Sequence, residues 1–272
     1  MASKTNWVLG LAYRGSNFSG WQRQPDQRTV QGELEAVLSQ IADANITVHV
    51  AGRTDAGVHA TGQIISFQSD AARSAKDWLR GGNGLTGDDI QIHWVERAET
   101  EFHPRYSALA RTYTYLFYDQ APRGDVFFGD LTWCTDTLDA DAMHRAAQDL
   151  LGEQDFSSFR AAGCQSTTPM RRLDRCVITR HGNLVSMEIT ANAFLLHMVR
   201  NIATALHSVG RGEPLDIRAL MAARDRTLLG ATAPAEGLYL SHVRYQENWP
   251  DCPTVPLLNA ISPFIGADQT LD

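Results

Sequence analysis

The chain has 272 residues, of which 43% are hydrophobic and 20% are charged, and its formal net charge is −7. This length and composition predict a globular protein that buries a substantial core, as one large domain or two modest ones. No apolar run approaches the roughly 18 residues that a membrane span needs, and the N-terminus lacks the apolar stretch of a secretory signal. We therefore expect a soluble, cytoplasmic protein without a membrane anchor.

The net charge is unevenly distributed along the chain. Residues 125–155 carry eight acids against Arg145 alone, and residues 246–272 carry four acids and no base. The window 160–180, by contrast, holds a single acid, Asp174, and five arginines, which are Arg160, Arg171, Arg172, Arg175 and Arg180. The net charge argues against a polyanionic partner, but this local basic stretch keeps nucleic acid open as a partner.

Strand and helix signals alternate irregularly along the chain. Strands are expected at residues 7–13, 46–51, 63–68, 90–95, 112–118, 176–180, 184–190 and 239–245. Helices are expected at residues 30–42, 75–80, 138–151, 193–209 and 217–224. This order predicts an α+β fold with a largely antiparallel sheet flanked by helices, in two similar subdomains that meet across a central cleft. We assign residues 1–105 to the N-terminal subdomain, 106–245 to the C-terminal subdomain and 246–272 to a proline-containing acidic tail.

The stretch Ala51 to Ala60, AGRTDAGVHA, carries the most chemical information. Gly52 and Gly57 permit tight or positive-φ backbone and leave room for another molecule to approach. Between them, the guanidinium of Arg53 lies two residues from the carboxylate of Asp55, which favours an ionised carboxylate that can meet a ligand. From the residues alone, a plain turn with a surface ion pair is the competing interpretation.

Motifs for cofactors and metals are not found in the sequence. Gly82 to Gly87, GNGLTG, match the G-x-G-x-x-G pattern of dinucleotide binding. They follow a predicted helix and lead into a strand, however, whereas that fingerprint must follow a strand and open a helix. We interpret them as a flexible loop. The nine histidines and four cysteines show no metal-ligand spacing, and no G-x-S-x-G elbow occurs.

Residues 111–115 have the sequence RTYTY, which alternates polar and aromatic side chains. On a strand this alternation puts Arg111, Tyr113 and Tyr115 on one face. Tyrosines in such a position either fill a core or provide a platform on which a base can stack.

The predicted helix at residues 193–209 is apolar nearly all round, yet it contains Arg200. A buried arginine is costly without an acidic partner, so Arg200 is expected to meet an acid in the folded protein. Asp55 is one candidate for that acid, and a structural ion pair elsewhere is the other.

Six stretches spread over nearly the whole chain form a joint pattern. They are YRGSNFSGWQRQ (13–24), AGRTDAGVHATGQ (51–63), FHPRYSALARTYTY (102–115), FSSFRAAGCQSTTP (156–169), ANAFLLHMVRNI (191–202) and AEGLYL (235–240). In this order they resemble the TruA family of tRNA pseudouridine synthases. The resemblance implies the pseudouridine synthase fold with an RNA-binding cleft. It also implies an enzyme that isomerises uridine in the anticodon stem-loop of tRNA, around positions 38 to 40.

The resemblance further implies roles for individual residues. Asp55 matches the catalytic aspartate, which acts either as a nucleophile or as the base that initiates glycosidic cleavage. Tyr113 matches the tyrosine that packs against the target base and helps remove the proton from its C5 atom, and Arg200 matches the arginine that pairs with the aspartate. Leu240 matches an apolar contact to the uracil. Arg53 matches the arginine that displaces the target nucleotide and fills its place in the stem.

Partners and cofactors also follow from the resemblance. Similar proteins are homodimers in which one tRNA bridges basic clefts of both subunits, so Arg160, Arg171 and Arg172 are expected to contact the RNA backbone. The isomerisation is redox-neutral and transfers no external group, so neither a cofactor nor a metal is expected. One departure concerns Thr86-Gly87, which replace the Leu-Pro that is common in the family and bear on the rigidity of that loop.

Two other classes of function stay open at this point. A catalytically silent RNA-binding or tRNA-folding protein could keep the same scaffold, but it would have little reason to keep Asp55, Tyr113 and Arg200 together. A carboxylate-dependent hydrolase would need a second acid or an activated water, and the sequence offers no identifiable residue for that task.

Overall fold

A computed structural model describes residues 4–119 and 124–253. Within these ranges the strands are β1 (Thr5–Tyr13), β2 (His49–Val50), β3 (His59–Ser69), β4 (Ile90–Ala98), β5 (Ala110–Tyr118), β6 (Trp133–Cys134), β7 (Gly152–Asp155), β8 (Met170–His181), β9 (Leu184–Ala191) and β10 (Leu238–Arg244). The α-helices are α1 (Val30–Ala42), α2 (Ala75–Leu85), α3 (Ala140–Ala147), α4 (Met198–Gly210) and α5 (Ile217–Ala223). Most of the tail predicted for residues 246–272 lies outside the described residues, from residue 254 onward.

The chain divides into two compact units. One unit contains the residues up to Thr112 together with Tyr239–Cys252, and the other contains Tyr113–Leu238. Strand β5 begins in the first unit and continues into the second.

In the first unit the strand order is β4-β1-β3-β10, and β2 also pairs with β3. The pairs β1–β3, β1–β4 and β2–β3 are antiparallel, whereas β10 runs parallel to β3. In the β10–β3 pair, Tyr239 lies opposite His59 and Leu240 opposite Ala60. A strand from the far end of the sequence therefore pairs with the start of β3, directly after the segment that carries Asp55.

Helix α1 is observed over the residues that the sequence predicts. Its N-terminus is capped by Thr29, whose side chain accepts a hydrogen bond from the Gly32 N–H. Val30, Leu34 and Leu38 repeat at helical spacing and are buried. The periodic apolar face and the cap both place the helix at the same residues, and the prediction of this helix is confirmed.

The prediction of a flexible loop at residues 82–87 is wrong, because most of these residues belong to helix α2. A Ser74–Asp77 capping box starts this helix, which continues as far as Leu85. A Cβ atom added at Gly82 would overlap the side chain of Ile92, so glycine here lets the helix pack closely on strand β4. At the helix end the Thr86 hydroxyl donates to the Gly82 carbonyl oxygen over 3.0 Å. Thr86, the first of the two residues that replace the family's common Leu-Pro, thus ends the helix with a hydrogen bond from its own side chain.

In the second unit the strand order is β5-β9-β8-β7, and β6 pairs with β5. The pairs β7–β8 and β8–β9 are antiparallel, and β5–β6 is parallel. Helix α3 packs against β8. Helix α4 begins at Met198 rather than at residue 193, because His197 adopts a left-handed conformation with φ 57°. The predicted α+β class with a largely antiparallel sheet is confirmed.

Candidate active site

The segment 51–58, here called the Asp55 loop, connects β2 to β3 in the first unit. Backbone hydrogen bonds hold it at three points. The Ala51 N–H donates to Ile64 O over 2.9 Å, the Trp21 N–H donates to Thr54 O over 3.0 Å, and the Val58 N–H donates to Asp55 O over 3.1 Å. The last of these bonds closes a turn in which Gly57 has a φ of 80°, a conformation that glycine adopts without steric cost.

A network of buried polar side chains also fixes the Asp55 loop. The hydroxyl oxygens of Tyr13 and Thr54 lie 2.7 Å apart. The Gln63 side-chain amide donates to the Tyr13 hydroxyl over 3.2 Å and to the Gly52 carbonyl oxygen over 2.7 Å. Gln63 is fully buried, so these bonds satisfy polar groups that have left water. A satisfied buried network of this kind rigidifies the backbone above it.

Two glycines of the stretch 13–24 allow that stretch to lie directly against the Asp55 loop. A Cβ atom at Gly15 would overlap the Val58 carbonyl oxygen. At Gly20, where φ is 88°, it would lie 3.0 Å from Thr54 O and 3.2 Å from the Asp55 carbonyl carbon. Sequence reasoning assigned these glycines no role. The occurrence of both glycines within one of the stretches that carry the family resemblance is the signal that could have pointed to close backbone packing.

The side chains on and beside the loop differ in exposure. Arg53 is exposed and Asp55 is half-buried. Leu240, on β10, is fully buried and lies opposite Ala60, five positions after Asp55. The first unit thus brings an exposed guanidinium, a carboxylate and a buried apolar side chain to the start of β3.

His59 and Tyr239 form a buried support behind the loop. The His59 Nδ1 atom accepts a hydrogen bond from the Gly15 N–H over 3.1 Å, which assigns the ring proton of the neutral form to Nε2. The His59 and Tyr239 rings stack with centroids 4.7 Å apart. Burial raises the pKa of Tyr239 above its ordinary value, so its phenol stays protonated.

The second unit contains Tyr113 and Arg200. Tyr113 is buried on β5 and meets the ring of Phe194 edge to face, with centroids 5.1 Å apart. Arg200 lies in the first turn of α4, half-buried, and its Nε atom donates to the Ala233 carbonyl oxygen over 2.7 Å. This bond limits the orientations that the Arg200 guanidinium can take.

The three arginines predicted to contact RNA belong to the segment 160–172, here called the arginine loop, whose last three residues are also the first three of β8. Arg160 donates to the carbonyl oxygens of Cys164 and Ser166 over 2.9 and 2.7 Å. Arg171 is buried and donates to Thr168 O over 3.0 Å and to the Ser166 hydroxyl over 2.5 Å, and burial lowers its pKa. Two of the three guanidinium groups therefore bind their own loop.

Arg172 differs from the other two arginines. Its side chain is 56% exposed and forms an ion pair with Asp174, with 2.8 Å between Nε and Oδ1. An ion pair at this exposure is weak, so Arg172 can exchange Asp174 for another anion at little cost.

Metal-ligand clusters and membrane-spanning helices are not found among residues 4–119 and 124–253. No group of three or more histidine, cysteine or acidic side chains in these ranges could hold a metal ion. No helix in the same ranges is long and apolar enough to cross a membrane.

An α+β fold with a carboxylate on a rigid loop before β3 suits an enzyme whose chemistry needs an acid, a base or a nucleophile in a fixed position. The family model for tRNA pseudouridine synthase matches residues 11–107 and 146–246. The tRNA pseudouridine synthase A of Shigella boydii is 50% identical over 252 residues, which are 92% of this chain and 93% of that protein. The enzyme of the same name from Escherichia fergusonii is 49% identical over the same shares of both chains. This chain belongs to the tRNA pseudouridine synthase A family.

The crystal structure of a Cbf5-Nop10-Gar1 complex aligns over 76% of this chain and 54% of that chain, with 10% identity and a TM-score of 0.32. A likeness at this level is too distant to support an inference about fold or function.

Proposed function

We propose that this protein isomerises uridine to pseudouridine in the anticodon stem-loop of tRNA, around positions 38 to 40, with Asp55 as the catalytic carboxylate. The observation that carries the proposal is the rigid Asp55 loop in a chain of this family. Carboxylates that do chemistry need a fixed position, because a misplacement of 1 Å can cost about 10²-fold in rate. The Tyr13–Thr54–Gln63 network supplies that fixation.

The reaction balances within a single nucleotide. The bond from the ribose C1′ atom to N1 of uracil breaks, the base turns, and a bond from C1′ to C5 forms. The hydrogen at C5 leaves as a proton and N1 gains a proton, so neither an oxidant nor a transferred group is needed. Asp55 starts the reaction either as the nucleophile or as the base, and Tyr113 assists removal of the C5 proton. Arg200 is the proposed partner of the Asp55 carboxylate.

The target uridine must leave its stack before its glycosidic bond can be reached. Arg53 is exposed, as a residue that enters the vacated space must be. Tyr113 offers an aromatic ring against which the extruded base can pack, and Leu240 offers an apolar contact. Arg160, Arg171 and Arg172 remain proposed contacts to the RNA backbone, and the exposure of Arg172 favours it among the three.

Assembly and location complete the proposal. We infer a homodimer, on the basis of the family resemblance, and a cytoplasmic location, because tRNA is the substrate. Sedimentation of the purified protein with and without tRNA tests the first inference. A monomer at every concentration that supports activity would contradict it.

The proposed role of Asp55 is tested by the variant Asp55→Asn. We expect release of tritium from tRNA labelled at uridine C5 to fall by at least roughly 10²–10⁴-fold, because the amide can act neither as nucleophile nor as base. The affinity for tRNA should stay within a few fold, because phosphate contacts supply most of the binding.

Asp70→Asn, at an exposed aspartate of the same unit, is the matched control and should behave as wild type. Near-normal tritium release by Asp55→Asn would exclude Asp55 from the chemistry. A wild-type protein that binds tRNA but releases no tritium would instead favour the catalytically silent binder.

A further inference from the structure

An exposed row of three aromatic rings, each tilted against the next, lies in the first unit, apart from the residues assigned above. The ring centroids of His49 and His103 are 4.8 Å apart, and those of His103 and Tyr106 are 4.5 Å apart. Tyr106 ends the row with 78% of its surface exposed, and the Arg105 guanidinium lies 5.9 Å from the centre of its ring. We call these four residues the aromatic ledge.

The turn that displays Tyr106 is rigid. Within it, the N–H groups of Tyr106 and Ser107 both donate to the His103 carbonyl oxygen, over 3.1 and 2.9 Å. The Arg105 N–H donates to His103 Nδ1 over 3.1 Å. From outside, the Tyr245 hydroxyl donates to the Pro104 carbonyl oxygen over 2.7 Å. An exposed tyrosine is thus held by an anchored backbone, which is the arrangement that a stacking surface requires.

The ledge is connected directly to the Asp55 loop through Arg111. The Arg111 guanidinium donates to the Arg105 carbonyl oxygen over 2.7 Å and to the Ala51 carbonyl oxygen over 2.9 Å. Ala51 is the first residue of the Asp55 loop. Because a chain extends at most about 3.6 Å per residue, the Cα atom of Asp55 lies within roughly 14 Å of Ala51. Two hydrogen bonds of Arg111 and four residues of the Asp55 loop therefore link the turn that carries Tyr106 to Asp55.

The charges of the ledge suit RNA. Arg105 of the ledge and the adjoining Arg111 are cationic, and burial lowers the pKa of His103, so this imidazole is neutral at physiological pH and lies beside the cations without repelling them. Exposed aromatic rings beside arginine provide stacking that accepts any base, because every base has a π-face.

We propose that the aromatic ledge binds an unpaired base of the tRNA substrate by stacking it on Tyr106, close to the uridine that Asp55 modifies. This inference rests on the proposed function. It adds a substrate-binding surface that positions the RNA strand, and the ledge takes no part in the bond changes.

The test compares Tyr106→Ala with Tyr106→Phe, which keeps the ring, and with Leu109→Ala, which removes an exposed apolar side chain three residues away. We expect Tyr106→Ala to weaken tRNA binding about ten-fold and the two controls to stay within about two-fold of wild type. The slope of log affinity against log salt should not change, because tyrosine carries no charge. A 2-aminopurine base in the anticodon loop should be quenched on binding to wild type and to Tyr106→Phe, but less by Tyr106→Ala.

Unchanged affinity and unchanged quenching in a Tyr106→Ala protein that melts at the wild-type temperature would overturn the inference. A change in sedimentation of the tRNA-free variant would also overturn it, since Tyr106 would then contact a second copy of the chain. Tritium release by the wild-type protein is measured in the same experiment. Release without an effect of Tyr106→Ala would contradict only the role of the ledge, whereas no release would contradict the proposed function.

Discussion

The Asp55 loop and the arginine loop both carry charged residues beside a positive-φ glycine, but they use their charges differently. The Asp55 loop is held by residues from outside it: Trp21 and Gln63 bind its backbone carbonyl oxygens, and the Tyr13 hydroxyl binds the Thr54 hydroxyl. In the arginine loop, Arg160 and Arg171 hold the backbone with their own guanidinium groups. A charged side chain whose loop is supported by others can serve chemistry, whereas one that supports the loop is already engaged.

The largest effect that separates the two loops is expected from a methyl group at a glycine that packs against the Asp55 loop, Gly20, or belongs to the arginine loop, Gly163. Gly20 and Gly163 both have positive φ, but only Gly20 has the Asp55 loop against it, and nothing lies within 4 Å of the Cβ position at Gly163. Gly20→Ala should displace the Asp55 loop and slow single-turnover pseudouridine formation about 10²-fold. Both variants should lose about 1–2 kcal/mol of unfolding free energy, because each places a side chain on a left-handed residue. Gly163→Ala should nevertheless form pseudouridine at a nearly normal rate. Equal rate losses would show that the loops do not differ in this way.

A smaller effect is expected from Arg53, the exposed guanidinium of the Asp55 loop. Opening a stacked pair costs a few kcal/mol, so Arg53→Ala should slow modification of a stem uridine by roughly 10–10²-fold and of a loop uridine much less. Single-turnover rates on anticodon arms with one uridine, placed in the stem or in the loop, measure the difference. Arg145→Ala, at an exposed arginine of α3, serves as control. Equal losses at both sites with weaker binding would leave Arg53 as a phosphate contact.

The smallest effects on tRNA binding and modification are expected from substitutions in the arginine loop. Arg171→Ala removes buried, charge-assisted hydrogen bonds and should lower the free energy of unfolding by about 2–4 kcal/mol. Arg172→Ala should cost less than about 1 kcal/mol but flatten the log-log salt dependence of tRNA binding by about one unit. Arg175, equally exposed and paired with Glu188, is the matched control and should leave the slope unchanged. A slope unaffected by Arg172→Ala would place the RNA backbone elsewhere.

Local patterns explain why parts of the fold could be predicted from sequence. Helix α1 combines an apolar period with the Thr29 cap, and both signals lie within fifteen residues. A glycine-rich stretch between a predicted helix and a predicted strand favours a loop, but at Gly82 the missing side chain instead allows α2 to continue and pack on Ile92. The start of α4 was placed too early because nothing in the composition of residues 193–197 indicates the left-handed conformation of His197.

In the candidate site, too, some residues could be predicted from the sequence and others could not. Asp55 and Arg53 could be selected as candidates because they lie together on one glycine-flanked segment and match a family motif. The residues that hold that segment, Tyr13 and Gln63, come from separate strands, so their contact depends on strand register, which a single sequence does not reveal. For the same reason the parallel pairing of Leu240 with Ala60 could not be predicted.

Tritium release by the wild-type protein tests the central claim most directly. The substrate is tRNA labelled at uridine C5, incubated with a chelator and with no cofactor added. The account predicts one tritium released for each pseudouridine formed, at a rate that the chelator does not change. Binding of tRNA without release, or release that requires an added metal or cofactor, would contradict it.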